Sequence, residues 1–165
     1  MMEMEKRKEI LQLLQNDARL TAEQLAAMVG EDAEAVAQAV REMEQEGILL
    51  RYTAVVDWEK IDTDTVTAII DVKTTPRRDV GFDQLAQHIA RFPEVRACYL
   101  MSGADDLSVV VQAGSLRDVA NFVSRRLSTL EGVASTTTHF ILKRYKHDGV
   151  LFEGPENDDR LAVTP

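Results

Sequence analysis

Over the first fifty residues, apolar positions recur three and four apart. Ile10, Leu13 and Leu14 follow Lys6, Arg7 and Lys8, a spacing that predicts a helix over residues 3–16. In LTAEQLAAMVG, Leu25, Met28 and Val29 form a second stripe. Thr21, with Gln24 three residues on, is a capping box that ties the first free N–H groups of that helix. Gly30 can supply the left-handed residue that ends it. Asp32 is a good N-cap for a third helix. Val36, Val40 and Met43 fall at i, i+4 and i+7 and so face inward, and Gly47 stops the helix. Its outward face presents Glu34, Ala37, Gln38 and Arg41. ILLRYTAVVD then reads as a short strand or wing. Three short helices with a tight turn between the second and third predict a helix-turn-helix unit.

The period changes near residue 65. TVTAIIDVKTT is a β-branched run, hence a strand. VGFDQLAQHIARF has helical spacing through Phe82, Leu85, Ile89 and Phe92. VRACYLMSG and LSVVVQAG are two strands separated by ADD, a hairpin signal. SLRDVANFVSRRLSTLEG is a helix capped by Ser115 and lined by Val119, Phe122, Val123 and Leu127. ASTTTHFILKRYK is a last strand. The order β-α-β-β-α-β predicts a ferredoxin-like domain, and the chain as a whole is α+β. Helices cover one face of such a sheet, and the other face is normally polar. Here Val109, Val110 and Val111 are consecutive, as are Phe140, Ile141 and Leu142, so apolar side chains project from both faces. A homodimer through the sheet is the expected consequence. Residues 1–60 are read as the helix-turn-helix domain with its connecting strand, 61–146 as the ferredoxin-like domain, and 147–165 as an acidic, turn-rich tail. The short GVLF segment of that tail is a candidate edge strand.

Composition narrows the function. A net charge of -9 makes nonspecific adhesion to nucleic acid unfavourable, so DNA binding has to come from a local patch. A single cysteine, Cys98, excludes an internal disulfide framework and fits a reducing cytoplasm. MMEMEKRKEI runs into a polar helical pattern instead of a signal region. No apolar run approaches the roughly 20 residues that span a membrane. A cytoplasmic protein is therefore expected.

Candidate chemistry is sparse. His88 falls on the polar side of a helix. His139 and His147 are not at metal-ligand spacing with a carboxylate or cysteine cluster. Cys98 has no base beside it in sequence and reads as a small buried or interfacial thiol. Asp105 and Asp106 form a carboxylate pair at a hairpin tip, ordinarily a solvated turn. There is no phosphate-cradling glycine loop, triad or zinc motif. An enzyme is not expected, nor a cofactor.

Several separated motifs, in order, carry a family resemblance. ILQLLQNDARLTAEQLAAMVG, EMEQEGILLRYTAVVD, VRACYLMSGADDLSVVV and LEGVASTTTHFILKRYK together resemble the Lrp/AsnC family of bacterial and archaeal transcription regulators over roughly residues 3–146. The resemblance implies a C-terminal domain that binds a small effector, usually an amino acid, between subunits. It also implies dimers that assemble further, to tetramers or octamers. On that basis the turn Gly103-Ala104-Asp105-Asp106 forms one wall of the effector site, with Met101 and Ser102 beside it. Asp106 would pair with an α-ammonium group. Thr136 and Thr138 would offer hydroxyls to a carboxylate. Where many members carry Gly-Asp-aromatic-Asp, this chain has Gly-Ala-Asp-Asp.

The third helix sets up a conflict. The resemblance makes it the DNA-reading helix, yet EDAEAVAQAVREMEQE holds six acidic residues and one basic, Arg41. Family members usually place Ser or Thr near its start and Arg near its middle, where this chain has Asp32 and Ala39. Facing phosphates with Glu34 opposes binding. Two readings follow. In the first, Gln38 and Arg41 read base edges of double-stranded DNA, with Lys6, Arg7, Lys8, Arg19 and Arg51 on phosphates. In the second, the chain senses an effector without binding DNA and acts by mixed assembly with a DNA-binding relative. The first is preferred, because recognition helices read mainly through their N-terminal part.

Overall fold

A computed structural model of the chain describes residues 2–61, 64–75 and 82–152. Two compact units result, Met1–Val56 and Asp57–Pro165. In the first, α1 is Met4–Asn16, α2 is Ala22–Val29 and α3 is Ala33–Gln45. The predicted punctuation is present. Thr21 and Gln24 form the reciprocal capping box, and Gly30 ends α2 at φ 71°. Asp32 accepts from the N–H groups of Glu34 and Ala35 at the start of α3. Ile10, Leu14, Leu25, Val29, Val36 and Met43 interlock as the core. Val40, expected inside, is only partly buried, and Ala39 takes the inner position at 1% exposure.

The expected strand at 48–57 is absent. A strand needs a partner for its ladder, and none of the described strands pairs with this segment. Leu50 stands 85% exposed. The start of the segment is held by Leu49, which packs against the core, and by the Tyr52 hydroxyl, which donates to Glu44 at 2.9 Å.

The second unit begins with a single 3-10 turn at Trp58–Lys60. Its main strands are β1 (Val66–Thr74), β2 (Val95–Leu100), β3 (Leu107–Ala113) and β4 (Val133–Phe140), with α4 (Phe82–Ala90) and α5 (Leu116–Phe122). Sheet order is β2-β3-β1-β4, all antiparallel, as the ferredoxin-like reading requires. Ser115 caps α5 as expected. Past Phe122 the helix widens into a π turn, with the Ser128 N–H on the Val123 carbonyl at 2.8 Å. Leu127 stays fully buried. Residues 80–81, where the fourth helix was expected to begin, lie outside the described residues.

Register assigns the faces. Ala68, Ile70 and Val72 pair with Val111, Val109 and Leu107, and all six are buried beneath the helices. Ile69 and Val110 pair on the opposite face and are only half-buried. Two details differ from expectation. Phe140 is opposite Ala68, so it belongs to the helix side. Leu142 lies beyond the strand and is 94% exposed. Among its described residues the tail adds no strand to the edge of the four-stranded sheet. Lys146–His147 (β5) and Val150–Leu151 (β6) pair with each other, turning on Asp148 (φ 45°) and Gly149 (φ 79°). Two consecutive positive φ values are what a two-residue primed turn demands, and Asp-Gly supplies them. The tail beyond Phe152 lies outside the described residues.

Candidate functional site

On α3 the spacing i, i+4, i+7, i+11 puts Glu34, Gln38, Arg41 and Gln45 on one stripe, and all four are exposed. Arg41 Nη2 donates to Gln38 Oε1 at 2.9 Å, and Gln38 Nε2 donates to Glu42 Oε1 at 3.1 Å. The two expected base readers are thus adjacent, and each holds the other. Ala39 faces the core, so its lack of an arginine subtracts nothing from the outward surface.

Most of the helix's acidity is used internally. Asp32 is the cap. Glu42 accepts from Gln38, Glu44 from Tyr52 and Glu46 from Arg7. Glu31 and Glu42, with Glu3 from ahead of α1, line an open groove of about 400 Å³ that Gln38 also borders. Glu34 alone among the six acids lies on the outward stripe.

The expected phosphate contacts divide. Arg7 is corrected outright. It is buried, and its Nη2 donates to Glu46 at 2.8 Å, pinning α1 to the end of α3, while Nε finds no partner among the described residues. Lys6 is also turned inward. Its ammonium donates to the Val29 carbonyl at the end of α2, where a cation complements the helix dipole, and it pairs with Glu9. Lys8 is exposed but pairs with Glu5 at 3.5 Å. Arg19 is exposed and chelates Asp17, an interaction that lowers the Asp17 pKa. Arg51 is exposed. Lys8, Arg19, Arg41 and Arg51 therefore remain on the surface for phosphates and bases.

The second group of candidate residues gathers at one end of the sheet. Val72 pairs with Leu107 on one side and Thr136 on the other. The 101–106 loop and Thr136 are therefore two strand spacings apart, about 10 Å. Met101, Ser102, Gly103 and Ala104 are exposed, and Asp105 and Asp106 are half-buried. Asp106 Oδ2 accepts from the Thr74 N–H at 2.7 Å and the Thr74 hydroxyl at 2.8 Å. The Asp106 N–H in turn donates to the Val72 carbonyl at 3.0 Å. Asp106 thus fixes the loop to the end of β1, a role the sequence did not disclose because Thr74 is 32 residues away. Thr136 and Thr138 are half-buried on the helix side of β4, and the Thr136 hydroxyl lies 3.4 Å from Ser128 Oγ.

The Thr74 N–H, then its hydroxyl, hold the Asp106 carboxyl below the usual carboxylate range. A folded pKa below the unfolded value of about 3.9 gives an anchor that is complete above that pH. The anchor is lost as pH falls through the folded pKa. The Thr74 amide resonance is expected to titrate with that depressed pKa and to be flat in Asp106→Asn. Titration at or above the ordinary carboxylate value would contradict the assignment.

Other polar contacts lie on the open face of the sheet. His139 Nε2 is 3.1 Å from Asp71 Oδ2, and Arg144 Nη2 donates to Thr67 Oγ1 at 2.6 Å. Cys98 lies on the helix side, its pKa raised by burial. Among the described residues no group of three or more His, Cys, Asp or Glu side chains is placed to hold a metal ion. None of the described helices is long and apolar enough to cross a membrane.

A three-helix unit with an outward polar stripe, followed by a ferredoxin-like domain, is the architecture of a helix-turn-helix protein with a separate α+β domain. Residues 67–151 match the model of the Lrp/AsnC ligand binding domain, and residues 5–49 match a winged helix-turn-helix DNA-binding domain. The chain belongs to the Lrp/AsnC family of transcriptional regulators. It is 51% identical over 162 residues, 98% of both chains, to the uncharacterized HTH-type transcriptional regulator YugG of Bacillus subtilis. It is 31% identical to the HTH-type transcriptional regulator LrpA of Pyrococcus abyssi, covering 86% of this chain and 98% of that one. Among solved structures, a transcriptional regulator–L-Met complex from Neisseria meningitidis superimposes with a TM-score of 0.70 at 25% identity, covering 89% of this chain and 94% of that one.

Proposed function

We propose that this DNA-binding regulator reads operator DNA through the Gln38–Arg41 face of α3, as a dimer with two heads in successive major grooves. The carrying observation is the arrangement of α3. Its outward stripe keeps both base readers exposed and side by side, while a cap and side-chain hydrogen bonds engage four of the six acids, Asp32, Glu42, Glu44 and Glu46. This favours direct DNA reading over the alternative of an effector-sensing oligomer that acts only by mixed assembly.

The sensory domain binds an amino acid between subunits, and the dimer forms through the open face of the sheet. Three observations support this part. Ile69 and Val110 leave apolar surface on that face. The 48–57 segment has no strand partner among the described residues. The Neisseria relative is titled as an L-Met complex. The anchored 101–106 loop forms one wall, and Thr136 and Thr138 offer hydroxyls. Further assembly to a tetramer or octamer places the site at a subunit contact. Coupling is reciprocal, so DNA changes effector affinity by the factor by which effector changes DNA affinity.

The test is a thermal-shift screen of the full chain against the standard amino acids, repeated with Asp106→Ala. A ligand at 100 times its Kd is expected to stabilise by about 2.7 kcal/mol, and the variant to lose most of that gain. No shift with any amino acid would contradict the sensory reading. An equal shift in the variant would remove Asp106 and its loop from the site.

A further inference from the structure

The structure assigns Glu34 a base-reading role: we propose that it selects a cytosine in the operator, a few base-pair steps from the base read by Arg41. This rests on the DNA-reading role of α3 proposed above. Glu34 lies in the first turn of α3, the part of a recognition helix that meets base edges. It shares the outward stripe with Gln38, Arg41 and Gln45. Its carboxylate accepts no hydrogen bond among the described residues, whereas Asp32, Glu42, Glu44 and Glu46 all have partners.

In a groove walled by phosphates, an unpartnered carboxylate is repelled unless a donor meets it. Guanine presents acceptors along the major groove, whereas the cytosine N4 amino group is a donor, and Glu is its matching side chain. Thymine offers only O4 and a methyl group. The adenine N6 donor lies beside the N7 acceptor, which opposes the second carboxylate oxygen. Glu34 therefore penalises most sequences and favours one base. That gives the acidic helix a use, because a face that repels nonspecific DNA sharpens discrimination without adding contacts. Seven residues separate Glu34 from Arg41. At 1.5 Å per residue that is about 10 Å, or roughly three base-pair steps. The selected cytosine and the guanine read by Arg41 should lie within two to four steps.

The experiment is selection of binding sites from random duplex DNA by the full chain, with and without a mixture of the standard amino acids. Wild type, Glu34→Ala and Arg41→Ala are compared. Wild type is expected to enrich a half-site holding both bases. Glu34→Ala should lose cytosine preference at one position, by roughly ten-fold or more, and bind scrambled DNA at least as well as wild type. Arg41→Ala should lose the guanine and keep the cytosine. An unchanged motif in Glu34→Ala, or a loss at adenine instead, would overturn the assignment and leave DNA reading intact. Failure of wild type to enrich any motif would overturn both.

Discussion

Met43→Ala is expected to unfold the helix-turn-helix unit and abolish operator binding while the sheet domain stays folded. Met43 is fully buried where α3 meets the core built from Ile10, Leu25 and Val36. Truncating such a side chain costs about 2–5 kcal/mol, through lost transfer energy and the cavity left behind. A unit of this size holds only about 3–8 kcal/mol in total, and small units bury a smaller share of their surface. The sheet domain has its own core around Ile70, Val109 and Leu127, and none of those residues belongs to the first cluster. Thermal unfolding followed by circular dichroism checks this. The variant should lose a helical transition and keep the second one. A wild-type-like melt would mean that the α3 packing described above is wrong.

Arg41→Ala carries the second large effect. A bidentate arginine–guanine contact contributes roughly 1–3 kcal/mol of discrimination, or about ten- to a hundred-fold in affinity for the preferred site. Loss of the guanidinium also frees Gln38 Oε1, now held at 2.9 Å, so Gln38 loses its orientation. Specificity should relax at one position of the site. Arg41→Lys should not rescue it, because an ammonium cannot form the planar fork. Arg51→Ala and Lys8→Ala should instead weaken all sequences alike and lower the salt slope by about 1 each. Competition titrations against single-base operator variants separate these patterns. A uniform loss for Arg41→Ala would reassign it to a phosphate.

Local signals were legible in the sequence, and long-range pairings were not. The capping box at Thr21–Gln24, the Gly30 stop and the Asp32 cap each depend on three or four neighbouring residues, so the chain displays them directly. The sheet order followed from the β-α-β-β-α-β succession of elements, which periodicity revealed. Arg7 shows the limit. A cation among Lys6 and Lys8 reads as surface, but its acceptor, Glu46, is 39 residues away and appears only once α1 crosses the end of α3. Asp106 is similar. Its turn was located from sequence, but Thr74 supplies its partners from another strand. The 48–57 segment had strand composition and lacked the neighbour that makes a strand. The 146–151 hairpin carried a local signal in Asp148-Gly149, which pairs Val150 and Leu151 with their own neighbours instead of with the sheet edge.

Ala39 and Glu34 show how charge counting misleads when faces are unknown. Counted along the chain, α3 is hostile to DNA. Placed on the helix, its acids are spread among cap, tether, ion pair and groove, and one remains on the reading stripe with Gln38 and Arg41.

Whether this acidic helix reads DNA is decided by fluorescence anisotropy of the purified full chain with DNA from upstream of its own gene, across a salt series. Binding is expected to exceed a scrambled control and to weaken with salt, with a shallow slope set by the few surface cations. No binding at low salt, with or without the standard amino acids, would contradict it and leave α3 as a helix with the fold of a reader and no DNA to read.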